Sequence, residues 1–458
     1  MANKNHDSCM NTTQKIPPTG VNEQLIRELS SRKNEPEWML ALRLKGLQQF
    51  EKQPLPSWGP SLVELNPNDI HFYLKPLQKQ TTNWQEIDPA IKKTFDDLGV
   101  PQAEQKYLAG LGAQYESEMI YHHLKKEWQA QGVVFLDTET GLKQYPELFK
   151  TYFGSIVPFD DNKFAALNTA VWSGGSFIYI PKNVTVTAPL QTYFRINSEQ
   201  FGQFERTLII ADENSFVHYI EGCTAPTYST SSLHSAVVEI IALKGARVRY
   251  TTIQNWAPNI YNLVTKRAHA YENSLIEWID GNFGSKITMK YPAVILKKPG
   301  ARAQILSLAL ANHAGQIQDS GGKVIHESSH TSSKIVSKSI AQKGGRTSYR
   351  GAVIIKPGAK QCKSFVQCDA LLLDKDSRSD AYPYLSIAEK DSLVGHEASI
   401  SNLNNEQTFY LLSRGFDQEQ ARSLIINGFI EEISKELPLE YAIELNRLIN
   451  LQMDGSIG

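Results

Sequence analysis

The sequence predicts a mainly β protein, in which a β-solenoid is flanked by helical domains at its N-terminal and C-terminal ends. Two observations predict this fold class. The central part of the chain consists of short runs of alternating or β-branched residues, such as SFIYIP, VTVTA and RVRYTTI, separated by Gly, Asn, Asp and Pro. A small turn residue also precedes a new strand about every 30 residues, and a period of this length is typical of repeat proteins. The segments on either side carry helical apolar patterns instead.

The repeat is recognised from its turn residues, which lie in phrases such as PKNVTV, LKGARVRY and KPGARAQI. They are Asn183, Asn214, Gly245, Asn273, Gly300, Gly358 and Asp391. The interval from Gly300 to Gly358 is about twice the others, so one turn is predicted to be disguised near SHTSS. Helix-turn-helix repeats have a similar length, but their 3.6-residue apolar period is missing, and so is the leucine-rich pattern. The remaining architecture is a β-solenoid, whose coils bury an apolar interior by stacking on their neighbours.

The chain before the repeat is predicted to be mostly helical. Helices are expected over residues 21–31, 36–52, 88–98 and 102–128. Asn34 can cap the second helix, Pro36 suits its first turn, and Gly99 is a stop signal for the third. His122 and His123 are then interpreted as part of a partly solvated helix face.

The chain after Ser401 is predicted to be helical again. A helix over 406–413 is expected to stop at Gly415, Asp417 can cap a second helix, and Pro438 can open a third. Such helices either close the end of a solenoid as a cap or bind a partner, and the pattern favours neither role over the other. The predicted domains are 1–155, mostly helical; 156–400, the solenoid; and 401–458, helical.

Composition excludes several classes of function. The net charge of -1 gives no basic field that would attract nucleic acid. The N-terminus has no apolar signal segment, and the longest apolar run is interrupted by Glu239, so we expect a cytoplasmic protein that does not enter a membrane. No phosphate-binding loop of the GXXXXGK[ST] type occurs, so no nucleotide site is expected. Four cysteines without C-x-x-C spacing indicate reduced thiols rather than a disulfide framework.

The segment from Gln361 to Ser401 gathers thiol, imidazole and carboxylate groups, which are the side chains that bind iron or zinc. Cys368 is either a buried small hydrophobe or a ligand, and Cys362 can share its strand face. His396 and Glu397 are neighbours, so in a regular strand they point to opposite faces. Because three or four ligands are not assembled in one chain, a weakly held, transferable metal or cluster is predicted rather than structural zinc.

Cys223 lies on a predicted strand and has two interpretations, sulfur carrier or buried structural thiol. A sulfur carrier must be a thiolate, which requires a nearby cation, and Arg195 and Lys266 are candidate sources. Cys223 and Gln254 lie nine residues after the turn residues Asn214 and Gly245, so they should stack on successive coils. Trp256 should face the same side as Gln254.

Long motifs also point to a known family. They include AALNTAVWSGGSFIYIP, YFRINSEQFGQFERTLIIAD, EGCTAP, TTIQNW, CDALLLD, HEAS and ELPLEYAIELNRLINLQMDGSIG. Over residues 19–458 the chain resembles the SufB/SufD family of the SUF iron-sulfur cluster assembly system, and in particular its SufB scaffold subunits. The resemblance implies a right-handed parallel β-helix between helical N-terminal and C-terminal domains.

The resemblance also implies function and partners. The chain is expected to be a non-enzymatic scaffold that assembles an iron-sulfur cluster, [2Fe-2S] or [4Fe-4S], and passes it to apo-proteins. The implied partners are the SufC ATPase, which would meet residues 401–458 and alone bind ATP, the SufD paralogue or a second copy of this chain, and sulfur donor proteins. Reduced flavin is a further candidate cofactor.

Site residues follow from the resemblance position by position. Cys223 matches the sulfur-accepting cysteine of the family. Cys368 matches the cluster-building cysteine at the interface with SufD, and His396 and Glu397 match residues implicated there. Gly395 stands where many relatives have an acidic residue, and it offers no carboxylate. The residues that match an interior path for sulfur are Arg195, Asn197, Thr252, Gln254, Trp256 and Lys266.

Two other functions are alternatives to the scaffold. A SufD-like paralogue that only completes the complex is the alternative within the family, and Cys223, Cys368 and the QNW strand argue against it. A carbohydrate lyase or hydrolase is the alternative outside it, but no row of Asp and Glu occurs along one strand face.

Overall fold

The computed structural model describes residues 19–96, 107–403 and 405–437, and its central feature is a β-solenoid of about eight turns. Helices lie before and after the solenoid, as the sequence predicts. The helices are α1 (Glu23–Lys33), α2 (Glu37–Lys52), α3 (Pro89–Asp96), α4 (Lys126–Gln129), α5 (Thr138–Gln144), α6 (Pro146–Tyr152), α7 (Lys163–Val171), α8 (Asn405–Ser413) and α9 (Gln418–Ser434). Within the described residues, none of them is long and apolar enough to span a membrane.

The strands are short and numerous, as expected for a solenoid. Those of the first half are β1 (Gly110–Tyr115), β2 (Glu118–Leu124), β3 (Val134–Asp137), β4 (Ser176–Ile180), β5 (Leu190–Arg195), β6 (Gly202–Gln203), β7 (Arg206–Ala211), β8 (Phe216–Thr224), β9 (Ser232–His234), β10 (Val237–Ala242), β11 (Arg247–Trp256) and β12 (Ile260–Ala270). Those of the second half are β13 (Leu275–Gly284), β14 (Ile287–Lys290), β15 (Ala293–Leu296), β16 (Arg302–Ala311), β17 (Ile317–Ser320), β18 (Lys323–His326), β19 (Ser332–Ala341), β20 (Arg346–Ile355), β21 (Lys363–Leu372), β22 (Arg378–Ile387) and β23 (Leu393–Asn402).

Two long sheets form the walls of the solenoid. The first sheet has the order β2-β1-β5-β8-β11-β13-β16-β19-β21-β23, and the second has the order β14-β17-β20-β18-β15-β12-β10-β7-β4-β3. Strands of successive coils pair in parallel, for example β8 with β11 and β11 with β13. The pairs β1–β2 and β3–β4 are antiparallel and lie at the N-terminal end of the sheets. The segment before the repeat therefore adds strands to both sheets.

The core lies between the two sheets. Tyr219, Tyr250 and Trp278 stack on successive coils of the first sheet, with ring centroids 5.2 and 5.0 Å apart. Apolar side chains of the second sheet, such as Ile240 and Val294, pack against them. Inner-face residues of the strands that precede β22 are mostly buried here, which is the main source of hydrophobic stabilisation.

The turn residues that marked the repeat adopt the left-handed backbone conformation expected of them. Positive φ angles between 55° and 86° occur at Asn183, Asn214, Gly245, Asn273, Gly300 and Gly358. The disguised turn near SHTSS is confirmed as His330, at φ 59°. Asp391 does not share this conformation. At Gly245 a Cβ atom would lie 2.3 Å from Asn214 Oδ1, so any other residue there would displace the Asn214 side chain.

One predicted helix is wrong. Within the helix predicted over 102–128, residues 110–124 instead form the hairpin β1–β2, which is followed by the short helix α4; residues 97–106 and the Gly99 stop lie outside the described residues. Gly110 and Gly112 weaken a helix, and a Cβ on Gly110 would lie 2.9 Å from the carbonyl oxygen of His123. His122 and His123 consequently lie on β2 and not on a helix.

The first helices are confirmed with altered ends. Asn22 caps α1 by accepting from the backbone of Leu25. Asn34 ends α1 in the left-handed conformation and does not cap α2, which begins after Pro36. The helix predicted over 88–98 is present as α3.

In the described part of the C-terminal region, helix α9 packs beside the solenoid and does not close its end. Asp417 caps α9 through a capping box, and Gly415 follows α8 at φ 91°, both as predicted. However, Ile426 and Ile430 of α9 pack on the outer face of the first sheet. The end strands β22 and β23 keep most of their side chains exposed. The third predicted helix, from Pro438, lies outside the described residues.

Candidate functional site

Cys223 and Gln254 stack on neighbouring coils, as the repeat spacing predicts. The two residues are register partners in the parallel pair β8–β11, and Gln254 Nε2 donates to Cys223 Sγ over 3.9 Å. Trp256 lies in the same buried cluster as Cys223, so the prediction that it faces the same side is confirmed. These three side chains all point into the solenoid.

The surroundings of Cys223 favour the neutral thiol. The residue is fully buried, and its thiol donates to Glu221 Oε1 at 3.5 Å. Burial is the main reason why the pKa of Cys223 is raised well above its ordinary value, and the negative charges of Glu221 and Glu205 add to this effect. The positive charges of Lys266 and Lys290 oppose it. A thiolate at this position therefore needs an additional positive charge or an incoming reactant that takes up the proton.

A buried charge cluster lies on the next coils. Lys266 Nζ and Lys290 Nζ lie 3.0 and 3.2 Å from Asp280 Oδ1, and Lys266 also donates to Thr252 Oγ1 over 3.1 Å. Burial alone would raise the pKa of Asp280, but the two ammonium groups outweigh it and hold that pKa below its usual range. Burial lowers the pKa of Lys290 to about 8. Gln254 Oε1 accepts from Lys290 over 3.2 Å, which connects this cluster to Cys223.

Arg195 and Asn197 belong to a different group. Arg195 is the register partner of Thr224, so its side chain lies on the opposite strand face from Cys223, and it bonds Thr224 Oγ1 over 3.1 Å. Asn197 Nδ2 donates to Tyr115 Oη over 2.7 Å, and its backbone amide bonds the buried Glu116. The structure thus brings Thr252, Gln254, Trp256 and Lys266 together with Cys223, but not Arg195 and Asn197.

A row of buried polar side chains runs along the inner face of the first sheet from the coil of Cys223 to Cys368. We call it the interior column, and it consists of Glu221, Thr252, Asp280, Ser307, Ser337 and Cys368. Each member is the register partner of the next, without interruption. Ser307 Oγ and Ser337 Oγ are 3.0 Å apart. The column spans about five strand spacings, or about 24 Å.

Cys368 lies at the far end of the interior column, on β21, beside the last strand of the sheet. Its Sγ is 4.0 Å from Nε2 of His396 on β23. The pKa of Cys368 is raised to about 11, mainly by burial and further by the negative charge of Asp369. Glu397 is the register partner of Gln367 and lies on the opposite face from His396, as a regular strand requires. One chain therefore presents a thiol and an imidazole on the inner face and a carboxylate on the outer face.

Cys362 is not a second ligand to the same site. It precedes β21 by one residue and lies six residues, or about 20 Å of extended strand, from Cys368. Its thiol contacts Thr331 Oγ1 and the carbonyl oxygen of Ala359, each at 3.1 Å. It is a satisfied core thiol, and the structure does not bring it to Cys368.

Sequence reasoning missed several buried groups beside Cys223. Glu205, Cys223 and His234 offer ligand atoms that all lie within 4.8 Å of one another. Glu221, Asp280 and Lys290 also face the interior. The only available signal was a charged or imidazole side chain inside a strand of otherwise buried residues, and such residues also occur in structural ion pairs.

Comparisons with known proteins agree with this architecture. The family model described as SufBD protein N-terminal region matches residues 23–192, and the one described as SUF system FeS cluster assembly, SufBD core domain, matches residues 194–429. Iron-sulfur cluster assembly SufBD family proteins of Staphylococcus aureus strains MRSA252 and USA300 are 58% identical over 439 residues, which cover 96% of this chain and 94% of theirs. A relative of the same description in Staphylococcus saprophyticus is 57% identical over the same length. The chain therefore belongs to the SufBD family of iron-sulfur cluster assembly proteins of the SUF system.

Proposed function

We propose that this chain is a SufB-type scaffold subunit, on which an iron-sulfur cluster is built as cargo and then passed to apo-proteins. Cys223 accepts sulfur from a donor protein, and Cys368 with His396 holds the growing cluster. Glu397 contributes from the outer face, at the boundary with a partner subunit. The role is non-enzymatic and cytoplasmic, and ATP is bound by a SufC-type partner.

The observation that carries this proposal is the interior column. It joins the coil of Cys223 to Cys368 through hydroxyl and carboxylate side chains in unbroken register. A purely structural core would be expected to bury apolar residues in these positions, because buried polar groups cost free energy unless they are paired. None of the side chains between the two thiols can carry sulfur covalently, but over about 24 Å they offer hydrogen-bonding groups to sulfide released at Cys223.

The sulfur chemistry balances on the two thiols. Because Cys223 is fully buried, the chain must open locally before the donor reaches it. Attack of the Cys223 thiolate on the outer sulfur of a donor persulfide then forms a persulfide on Cys223 and releases the donor thiolate, without net oxidation or reduction. Release of that sulfur as sulfide for the cluster consumes two electrons. Reduced flavin is the candidate source of those electrons.

The ligand set at Cys368 suits a cluster that must leave. Stable iron-sulfur clusters generally take four protein thiolates. Cys368 and His396 supply one thiol and one imidazole, so the remaining ligands come from Glu397, a partner chain or exogenous sulfide. A cluster with few thiolates from its scaffold is held loosely enough to be transferred.

Two surfaces support the proposed partners. The last coil exposes apolar side chains on β22 and β23, among them Tyr384 and Leu393, where a SufD-type subunit or a second copy could continue the sheets. The C-terminal helices expose Phe409, Tyr410 and Leu412, which fit a SufC-type ATPase.

The test compares two buried cysteines of the same region. The full chain is combined anaerobically with SufC-type and SufD-type partners, a sulfur donor and ferrous iron, and iron, sulfide and the visible spectrum are measured. Cys368→Ala should lower the bound iron and sulfide by at least about tenfold, whereas Cys362→Ala should leave them unchanged, because Cys362 is satisfied within its own turn. Unchanged cluster content in Cys368→Ala would favour the SufD-like paralogue role instead.

A further inference from the structure

Glu205, Cys223 and His234 form a compact group of three different donor types inside the solenoid. Glu205 lies between β6 and β7, Cys223 lies on β8, and His234 ends β9. All three are 0% exposed, and their ligand atoms lie within 4.8 Å of one another. Each of these polar groups costs free energy to bury, so the burial of all three together indicates an interaction that compensates this cost.

The hydrogen-bond network determines which nitrogen of His234 faces the group. Lys290 Nζ can only donate, so the atom that it meets on Gln254 is the oxygen. That oxygen also accepts from Asn262 Nδ2 over 2.8 Å, which turns Asn262 Oδ1 toward His234 Nδ1, at 2.7 Å. Nδ1 of His234 must therefore carry a hydrogen, and Nε2 faces Glu205 Oε1.

This orientation is the one found in metal-binding histidines. Such histidines donate from one ring nitrogen to a fixed acceptor and present the other nitrogen to the ion. Asn262 is that acceptor, and its own orientation is fixed by Gln254 and Lys290. In addition, Glu205 Oε2 is buried and has no hydrogen-bond partner among the described residues. A buried carboxylate oxygen without a donor is an independent indication of a ligand.

We infer that Glu205, Cys223 and His234 bind one divalent transition-metal ion, Fe²⁺ or Zn²⁺. Thiolate and imidazole ligands select these ions over Mg²⁺ or Ca²⁺, which prefer oxygen. Three protein ligands leave at least one coordination position for a further sulfur or water ligand, as in open zinc sites.

The exchange of the ion against protons preserves charge. Without metal, Cys223 Sγ holds one proton and the contact of His234 Nε2 with Glu205 Oε1 holds another, because neither of those two atoms can donate without it. Whichever of the two atoms carries the shared proton, the charges of the group sum to zero. When a doubly charged ion enters, one proton leaves Cys223 Sγ and one leaves the contact of His234 with Glu205, and the sum is again zero. A low-dielectric interior favours such a neutral exchange.

The nearby charges do not disturb this balance. Glu221 and Asp280 carry two negative charges, and Lys266 and Lys290 carry two positive charges, so this neighbouring set is neutral by itself. The ion therefore does not add net charge to the interior.

The inference goes beyond the proposed function, and it stands even if no sulfur passes through Cys223. The site is distinct from Cys368, which lies about 24 Å further along the interior column. An ion at Cys223 would hold its sulfur as the thiolate that burial otherwise disfavours.

The test measures the ion without any cluster chemistry. The full chain is produced in media supplemented with iron, zinc or cobalt and purified anaerobically, without sulfide, sulfur donor or partners. Its metal content is determined by elemental mass spectrometry. We expect about one ion per chain in Cys368→Ser and Cys362→Ser as in the unmodified chain, and a loss of at least about tenfold in Cys223→Ser, His234→Gln and Glu205→Gln. The metal contents of the chains produced with iron and with zinc are compared to identify the preferred ion.

The cobalt form gives a spectroscopic readout of the ligands themselves, in addition to the metal content. X-ray absorption of the unmodified chain with Co²⁺ should show one sulfur among nitrogen and oxygen ligands, and the near-ultraviolet thiolate-to-metal band should vanish in Cys223→Ser. Metal content equal in Cys223→Ser and Cys368→Ser, a cobalt site without sulfur, or a metal-free chain in all three media would each overturn the inference. Glu205 and His234 would then form a buried ion pair only. Because Cys368→Ser removes cluster build-up but not this ion, failure of the inference and failure of the proposed function are distinguishable.

Discussion

The two thiols of the interior column lie in opposite environments. Cys223 is surrounded on all sides by earlier and later coils, and it contacts buried charged and amide groups such as Glu221 and Gln254. Cys368 lies one strand from the end of the first sheet, beside His396 and next to strands whose side chains are exposed. One site is closed within the chain, and the other is open to whatever covers the last coil.

The difference indicates a division of labour. A closed site protects a reactive sulfur from water and oxidants, but it can hold little more than an atom or an ion. An open site can share ligands with another subunit and release its contents. Both are built from the same repeat, and only the position along the solenoid separates them. The following predictions test whether this contrast is real.

The largest expected effect is on the closed region. Asp280→Asn removes the anion between Lys266 and Lys290 while keeping the side-chain volume. Because two buried ammonium groups then lose their direct counter-ion, we expect a loss of about 3–5 kcal/mol in the free energy of unfolding. Chemical denaturation of the full chain, followed by circular dichroism, measures it.

The matched control is an ion pair on the surface of the same solenoid. Lys182 and Glu213 lie 2.6 Å apart, but both are substantially exposed. Glu213→Gln should leave the unfolding midpoint unchanged within error, because water screens the pair. An equally small effect of Asp280→Asn would show that the interior is wet and that the closed site does not exist as described.

A second prediction concerns the reactivity of the two thiols. Because the pKa of Cys368 is raised to about 11, raising the pH should increase its alkylation by iodoacetamide about tenfold per pH unit from pH 7 to pH 10. An ordinary exposed cysteine would level off near its pKa of about 8.5. Cys223 is fully buried and should react at least about tenfold more slowly than Cys368 throughout. Mass spectrometry of the labelled peptides under anaerobic conditions measures each rate.

The variant that sharpens this result is Asp369→Asn. It removes the negative charge that adds to burial in raising the pKa of Cys368, so alkylation of Cys368 at pH 8 should become faster while that of Cys223 does not change. In urea-unfolded chain the two cysteines should react alike. A rate for Cys368 that levels off below pH 9 would contradict a buried thiol at this position.

Much of the fold could be predicted from the sequence because its signals are local. The left-handed turns favour Gly and Asn at fixed intervals, and they located the coils and the stacking of Cys223 on Gln254. The hairpin over 110–124 could not be predicted in this way, because its strand β1 is stabilised by pairing with β5, far away in the sequence. The placement of α9 on the outer face of the sheet likewise depends on contacts with distant coils.

The candidate site was predictable only in part. Strand alternation correctly placed His396 and Glu397 on opposite faces. The interior column depends on the strand registers of many successive coils. If the length of a single turn were predicted wrongly by one residue, the members of the column would no longer be register partners. The roles of Glu205 and His234 depend on which atoms face each other in three dimensions. The domain limits at 155/156 and 400/401, and the functions assigned to Cys223, Cys368, Arg195 and Asn197, stay predictions.

The smallest expected effect concerns the open end. Leu393 of β23 is 68% exposed, and β23 is bonded only to β21 within the described chain. Leu393→Lys should weaken association with a SufD-type subunit, or with a second copy, by about tenfold, because an apolar contact is lost and a charge must be desolvated. Val63→Lys is the control: Val63 is an apolar residue with 80% exposure, and its neighbour Glu64 pairs with Lys286, just before β14, and not with the last coil, so the association should not change. Analytical ultracentrifugation with and without the partner measures both. Equal behaviour of the two variants would mean that the last coil is not the contact surface, and Cys368 would then need to complete its ligands without a neighbouring subunit.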